Sequence, residues 1–413
     1  VMVGNFVGSN ALAAVGASSS MIYLLIAFSQ GAAVGAGVIV AQYLGAGNKK
    51  SVSDAVHTSL VIAGILGIVL TIAGIVLSRQ LLEWMRTPEE VMEQAVTYFR
   101  LYSAGMFFGI VYNMAAGILN AAGNSKRSLL YLAVASFTNI ILDILFIAIL
   151  DMGVAGAAIA TDISQAVSCI LSMAFLMRVK DSYQVSLKKL KIHRRIAGSM
   201  IRVGLPTGIQ NMVISLSNVL VQTSVNGFGA AAMAGYTAYL KVDGFNILPV
   251  MSFSMAVTTF AGQNYGAGNY DRVKKGMYVT LAMGFVYTVL TGALLLTFDD
   301  QIMGMFSRDA EVITCGKLAM KYFCPFYFIL SILHGLSGAL RGVGKSIPPM
   351  VVLLLSLCVF RIFWIWLVLP HFSTIEGVYL LYPVSWALGA VMIIIYACTA
   401  KWLPAGRQQG KVR

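Results

Sequence analysis

The sequence predicts an all-α integral membrane protein built as two six-helix lobes, and three observations carry that expectation. Of 413 residues, 58% are hydrophobic and only 11% are charged. An average soluble domain carries roughly 25% charged residues, so this chain has too few charges to cover a water-soluble surface of its size. Apolar runs near the bilayer-spanning length of about 20 residues follow one another along the whole chain. The third observation is a repeat. "QYLGAGNKKSV", from Gln42 to Val52, returns as "QNYGAGNYDRV", from Gln263 to Val273, identical at six of eleven positions and displaced by 221 residues.

Polar breaks divide the first part of the chain into a stub ending near Gly8 and spans over 11–44, 54–78, 94–122, 128–150 and 153–177. The second part gives spans over 204–228, 230–261, 276–298, 313–340, 348–369 and 377–402. Because Val1 already lies inside an apolar stretch, an N-terminal truncation is expected, with twelve transmembrane helices in the intact protein. The expected organisation is an N-terminal lobe over 1–177, a basic linker over 178–203 containing "KKLKIHRR", a C-terminal lobe over 204–402 and a tail over 403–413. The linker, the tail with Lys401 just before it, and the loops near 45–53, 123–127, 266–275 and 341–347 hold 21 of the 29 basic residues. The positive-inside rule makes that side cytoplasmic, in the inner (plasma) membrane. A net charge of +13 is then the topology signal of a protein beside an anionic leaflet and needs no nucleic acid.

The offset of 221 recurs: "GILNAAGNSK" (Gly117–Lys126) faces "GALRGVGKSI" (Gly338–Ile347), and Glu90-Val91 faces Glu311-Val312. A constant offset over several motifs implies duplication of a six-helix unit. Six is even, so both halves enter the membrane from the same side, as parallel repeats about an axis along the membrane normal. The glycines of the repeated GAGN motif suit a helix stop at the membrane surface. A phosphate cradle fits poorly, because no GK[ST] and no strand follow. Pro249, Pro325 and Pro383 interrupt spans of the second half, which is therefore expected to be the more bent.

An ionisable side chain at the centre of a span costs roughly 2.5–3.5 kcal/mol and marks a functional site by default. Of 16 acids, only Asp143, Asp162 and Asp243 fall inside spans away from their ends, with Lys241 and Arg361 as mid-span bases. Asn139 precedes Asp143 by one turn, on the same helix face. An amide oxygen beside a carboxylate suits a hard cation such as Na⁺, or a proton site whose charged form the amide solvates. The short loop between 150 and 153 makes the flanking spans antiparallel neighbours, so Asp143 and Thr161 are expected to meet, with Asp162 as a ligand or an acid behind them. A plain helix–helix hydrogen bond is the structural alternative. Lys241 and Asp243 are two apart and do not share a face. Arg361 is expected to partner Asp243 across helices, as a locked ion pair or as a substrate-binding or gating cluster. The five cysteines and four histidines show no ligand spacing. No HExxH, GxSxG or paired catalytic Asp motif occurs, so neither an enzyme nor a bound cofactor is expected.

"VGSNALAAVGASSSMIYLLIAFSQGAAVGAGVIVAQYLGAG", "LRGVGKS" and "FAGQNYGAGNYDRV" together resemble the multidrug and toxic compound extrusion (MATE) family, along essentially the whole chain. The resemblance implies a V-shaped pair of six-helix bundles around a central cavity. It also implies export of organic, often cationic compounds in exchange for Na⁺ or H⁺ by alternating access. Family members coupled to these ions use an Asn and an Asp four apart and a Thr eighteen residues after that Asp, together with an Asp on helix one. Asn139, Asp143 and Thr161 match those spacings, and the helix-one Asp would lie just upstream of Val1. The acid that some members carry on the seventh helix is missing from "GIQNMVISLSNVLVQ", which puts coupling in the N-terminal lobe. A lipid-linked saccharide flippase of the same wider superfamily is the alternative, though extra spans or a strongly basic cavity would be expected of it. Small organic substrates and membrane lipids are the expected partners, and a monomer the expected state.

Overall fold

A computed structural model of the chain describes residues 7, 9–85, 87–372 and 374–404. Of the expected features, most of the stub ending near Gly8 and the tail beyond 404 lie outside the described residues. Among the described residues every regular element is a helix. The first five long helices are α1 (Ser9–Gly45), α2 (Lys49–Trp84), α3 (Glu89–Ala121), α4 (Ser125–Asp143) and α5 (Gly153–Arg178). They are followed by α6 (Arg194–Asn226), α7 (Ala230–Gly266) and α8 (Tyr270–Thr297). A short α9 (Asp299–Gly304) leads to α10 (Ala310–Phe323) and α11 (Tyr327–Gly342), and the chain ends with α12 (Ile347–Leu354), α13 (Phe360–Phe363) and α14 (Glu376–Thr399). Among the described residues, ten stretches are long and apolar enough to cross a membrane.

Most helices begin earlier than hydropathy predicts. Span 54–78 is part of α2, which starts at Lys49, and span 204–228 is part of α6, which starts at Arg194. Lys and Arg are good helix formers, so the backbone ladder continues where the apolar pattern stops. Span 313–340 is broken by a 3₁₀ turn, Cys324–Phe326, at Pro325, because proline removes a ladder hydrogen bond and its ring clashes with the preceding turn. Span 348–369 is interrupted by π-helical turns at Leu355–Val359 and Trp364–Val368.

The repeated motif is a helix stop. At the end of α1, Gly47 has φ +68° and Asn48 N donates to Tyr43 O at 3.2 Å. At the end of α7, Gly268 has φ +73° and Asn269 N donates to Asn264 O at 2.8 Å. The other repeated turn behaves alike, with Gly123 at φ +77° and Gly344 at φ +86°. A positive φ is open to glycine without steric cost, so the same turn chemistry recurs 221 residues apart.

The chain packs as two compact units, Val1–Met212 and Val213–Arg413. In the first, α3 is the central helix, against α1, α2 and α5, while α4 packs on α5. In the second, α7 packs against α8, α10 and α11, and α11 also against α14. The division falls inside α6. Its first half belongs to the first unit because glycines bring it against α1 backbone to backbone. A Cβ on Gly31 would lie 2.5 Å from Gly208 N, and one on Gly35 would lie 2.4 Å from Met200 O. Neither obstacle is a side chain that can turn away. Gly35→Ala should therefore destabilise the first unit by about 1–3 kcal/mol, read as a lower thermal midpoint in detergent. Gly64→Ala, where nothing lies within 4 Å of the added carbon, should leave the midpoint unchanged.

Candidate functional site

α4 keeps regular α geometry as far as Asp143, and the next turn, Ile144–Ile149, is π-helical. Such wide turns recur at functional sites because they re-aim the side chains beside them. Asp151, at φ +49°, and Gly153, at φ +58°, then turn the chain into α5. This hairpin brings Asn139 Nδ2 to 3.5 Å from Thr161 Oγ1 as a long hydrogen bond, and Thr161 Oγ1 donates to Ala157 O at 2.9 Å. Asp143 Oδ1, one turn beyond Asn139, is buried with no hydrogen-bond partner among the described residues. Unpaired buried oxygens of this kind are rare in folded proteins.

Asp162 turns the other way. Thr161 faces α4, whereas the next side chain is about 100° further round α5 and lies on α3. It fits there because position 105 is glycine: a Cβ on Gly105 would fall 2.1 Å from Asp162 Cγ. One turn along each helix, Gln165 fills the same kind of notch, with its Oε1 2.1 Å from where a Gly109 Cβ would be. Gln165 Nε2 donates to Tyr102 OH at 3.3 Å. Asp162 Oδ1 is also buried without a partner among the described residues. Tyr98 lies one turn before Tyr102 on α3, with ring centroids 6.1 Å apart. Sequence spacing did not reveal Tyr98 or Gly105, which reach the site from a third helix, α3, nor Gln165, which lies on α5 one turn beyond Asp162.

Beside these groups the first unit holds a cavity of about 380 Å³. Asn139, Thr161, Gln165, Asn113, Tyr102 and Ser29 give it a polar but uncharged wall. The two aspartates are not part of that lining, so the cavity meets the site through Asn139 and Thr161.

The second unit corrects the expected charge cluster. Lys241 is exposed and makes no ion pair among the described residues. Arg361 does not pair with Asp243. Asp243 Oδ1 accepts hydrogen bonds from Tyr239 OH at 3.2 Å and Tyr327 OH at 2.5 Å. Arg361 is 3% exposed. Its Nε donates to Ser385 Oγ at 3.2 Å, and its Nη1 to Ser217 Oγ at 3.2 Å and Asn218 Oδ1 at 3.4 Å. The guanidinium lies 4.5 Å above the Tyr382 ring, and Tyr382 OH meets Tyr236 OH at 2.5 Å. The two charges are thus held apart by tyrosines and satisfied by neutral oxygens and a ring face.

The internal repeat relates the two arrangements. An offset of 221 carries Asn139 to Phe360, Asp143 to Trp364 and Thr161 to Tyr382. A π-helical turn follows in both places, Ile144–Ile149 and Trp364–Val368. Where the first unit offers amide, carboxylate and hydroxyl oxygens, the second holds aromatic rings and a guanidinium.

Helical bundles of bilayer length, built by duplication and carrying a few polar and charged groups at mid-span, define a polytopic membrane transporter. The family model for MatE matches residues 1–145 and 206–367, and the chain belongs to the multidrug and toxic compound extrusion (MATE) family. It is 28% identical over 410 residues to the probable multidrug resistance protein YoeA of Bacillus subtilis, covering 95% of this chain and 87% of that protein. It is 28% identical over 357 residues to the probable multidrug resistance protein NorM of Thermotoga maritima, covering 85% and 76%. Among solved structures, a MATE protein in its straight conformation superposes with a TM-score of 0.90 at 24% identity, over 96% of this chain and 90% of that one. A MOP superfamily transporter from Pyrococcus furiosus, described with a reversed polarity of its binding pocket, gives 0.89 at 25% identity, over 96% and 90%.

Proposed function

We propose that this protein is a secondary active exporter of organic, cationic or amphipathic compounds. It exchanges them for Na⁺ or H⁺ by alternating access in the inner (plasma) membrane, with its basic loops cytoplasmic, and works as a monomer. The observation that carries the reading is the buried Asp143 Oδ1, without a partner among the described residues, one helical turn from Asn139, which itself reaches Thr161. A carboxylate, an amide oxygen and a hydroxyl offer hard oxygen ligands to Na⁺ or solvate a titrating acid. A ligand shifts a conformational equilibrium only by its differential affinity for the two states. An acid at the start of a π-helical turn supplies such a difference, because small changes in that turn re-aim it. Arg361 supports placing coupling in the first lobe, since a fixed cation beside the equivalent position of the second disfavours another. The names of the relatives favour multidrug substrates over the lipid-linked saccharides of a flippase.

The test is a fluorescent organic cation in proteoliposomes without ATP. Uphill dye movement under an imposed Na⁺ or pH gradient is expected; movement under neither would overturn the exchange. Asp162, seated in the Gly105 notch next to Thr161, takes part as a second acid. Gly105→Ala, whose methyl must displace its carboxyl group, should slow gradient-driven transport several-fold without changing the amount of folded protein.

A further inference from the structure

The first unit contains a second, wholly apolar groove of about 190 Å³. Its walls are Ile62 and Leu66 of α2 and Met200, Ile201 and Leu205 of α6, with Phe28 of α1 at its floor. Ile201 and Leu205 are about half exposed, so the groove opens on the outer surface of the helices.

One end of it is closed by the linker. Thr58, one turn before Ile62 on α2, donates from Oγ1 to Lys191 O at 3.3 Å and accepts from His193 N at 3.2 Å. His57 is buried and fixes the preceding stretch: its Nδ1 donates to Ser53 O at 2.6 Å and its Nε2 accepts from Ser186 N at 3.0 Å. An acid at this end, Asp54, lies 3.5 Å from His193 Nε2. Lys191, Arg194 and Arg195 are exposed. Arg194 lies on the groove face of α6, since positions 194, 197, 201, 204 and 205 follow helical spacing, about 10 Å above Ile201 along the axis. Beside these cations Leu187, Leu190 and Ile192 are also exposed, Leu187 by 60%. Bases interleaved with exposed apolar side chains mark a segment lying at a membrane interface.

An apolar slot between α2 and α6, capped by exposed cations that make no ion pair among the described residues, has the charge and polarity order of one lipid. We propose that this groove binds an anionic phospholipid of the adjacent leaflet, with an acyl chain between α2 and α6 and its phosphate on Lys191 and Arg194. The proposal rests on the membrane reading of the chain and not on the coupling site. It also gives the linker a role, because the bound lipid ties the linker to α2 and to the start of α6.

Native mass spectrometry of the full chain in detergent, titrated with phosphatidylglycerol and with phosphatidylcholine, tests it. One phosphatidylglycerol should bind more tightly than any phosphatidylcholine. Lys191→Gln with Arg194→Gln should weaken that lipid about thirtyfold, the order expected from removing two cations at about 1 kcal/mol each. Ile201→Trp, at an exposed position, should fill the groove and remove the same lipid while the thermal midpoint stays unchanged. Equal binding of the two lipids by the wild type would overturn the proposal, as would an unaffected double variant. Loss in the double variant with full retention in Ile201→Trp would move the lipid to the linker surface and overturn the groove assignment.

Discussion

Asp143→Asn should abolish uphill transport in proteoliposomes while leaving a correctly folded protein. The substitution keeps shape and removes the charge. Asn139, Thr161 and the π-helical turn are untouched, so the helix hairpin has no reason to rearrange. Asp143 Oδ1 has no partner to lose among the described residues, so stability should change little or rise, because a buried carboxylate is more costly than a buried amide. Only the ion-dependent bias between conformations goes. Downhill dye leak through an exchanger that still binds substrate is compatible with this; accumulation against a gradient is not. The check is dye accumulation per folded protein, with thermal midpoints measured on the same preparations.

The second large effect concerns stability. Arg361→Ala should destabilise the second unit by about 3 kcal/mol, seen as a clear fall in thermal midpoint and as protease sensitivity. Releasing a desolvated cation favours the variant by several kcal/mol. Against that stand three hydrogen bonds from a charged donor, at about 1.5–3 kcal/mol each, a desolvated stack on Tyr382 of about 2 kcal/mol, and the cavity left by a 3% exposed side chain. The losses are larger. Arg361→Lys should recover only part, since a single ammonium cannot reach Ser385 on one side and Ser217 and Asn218 on the other as a planar fork does.

Arg361 also marks where the sequence stopped being readable. Its mid-span position was evident, but its partner was not. Pairing by opposite charge pointed to Asp243, whereas the fold satisfies both groups with neutral donors and acceptors from distant helices. Tyr239, four residues before Asp243 on α7, was in principle visible at helical spacing; Tyr327 and Ser385 were not. In the first unit, the short hairpin made the meeting of α4 and α5 legible but not the pair that meets: Asp143 was expected against Thr161, whereas Asn139 Nδ2 is the group that lies 3.5 Å from Thr161 Oγ1. Asp162 was ambiguous for the same geometric reason: its direction depends on Gly105, a notch on a helix far away in sequence. The spans themselves were legible from hydropathy and the repeat from its offset. The helix starts in Lys- and Arg-rich turns were not, because hydropathy ends before hydrogen bonding does. The hold of His57 and Thr58 on the linker left no pattern, since its partners are backbone groups.

The central claim is that outward movement of substrate and inward movement of a cation are linked through Asp143. Its most direct test follows both movements at once, recording dye exit and internal pH or Na⁺ in the same proteoliposomes for wild type and Asp143→Asn. Opposed fluxes in fixed proportion are expected for the wild type, and neither coupled flux in the variant. Coupled exchange that persists in Asp143→Asn would contradict it.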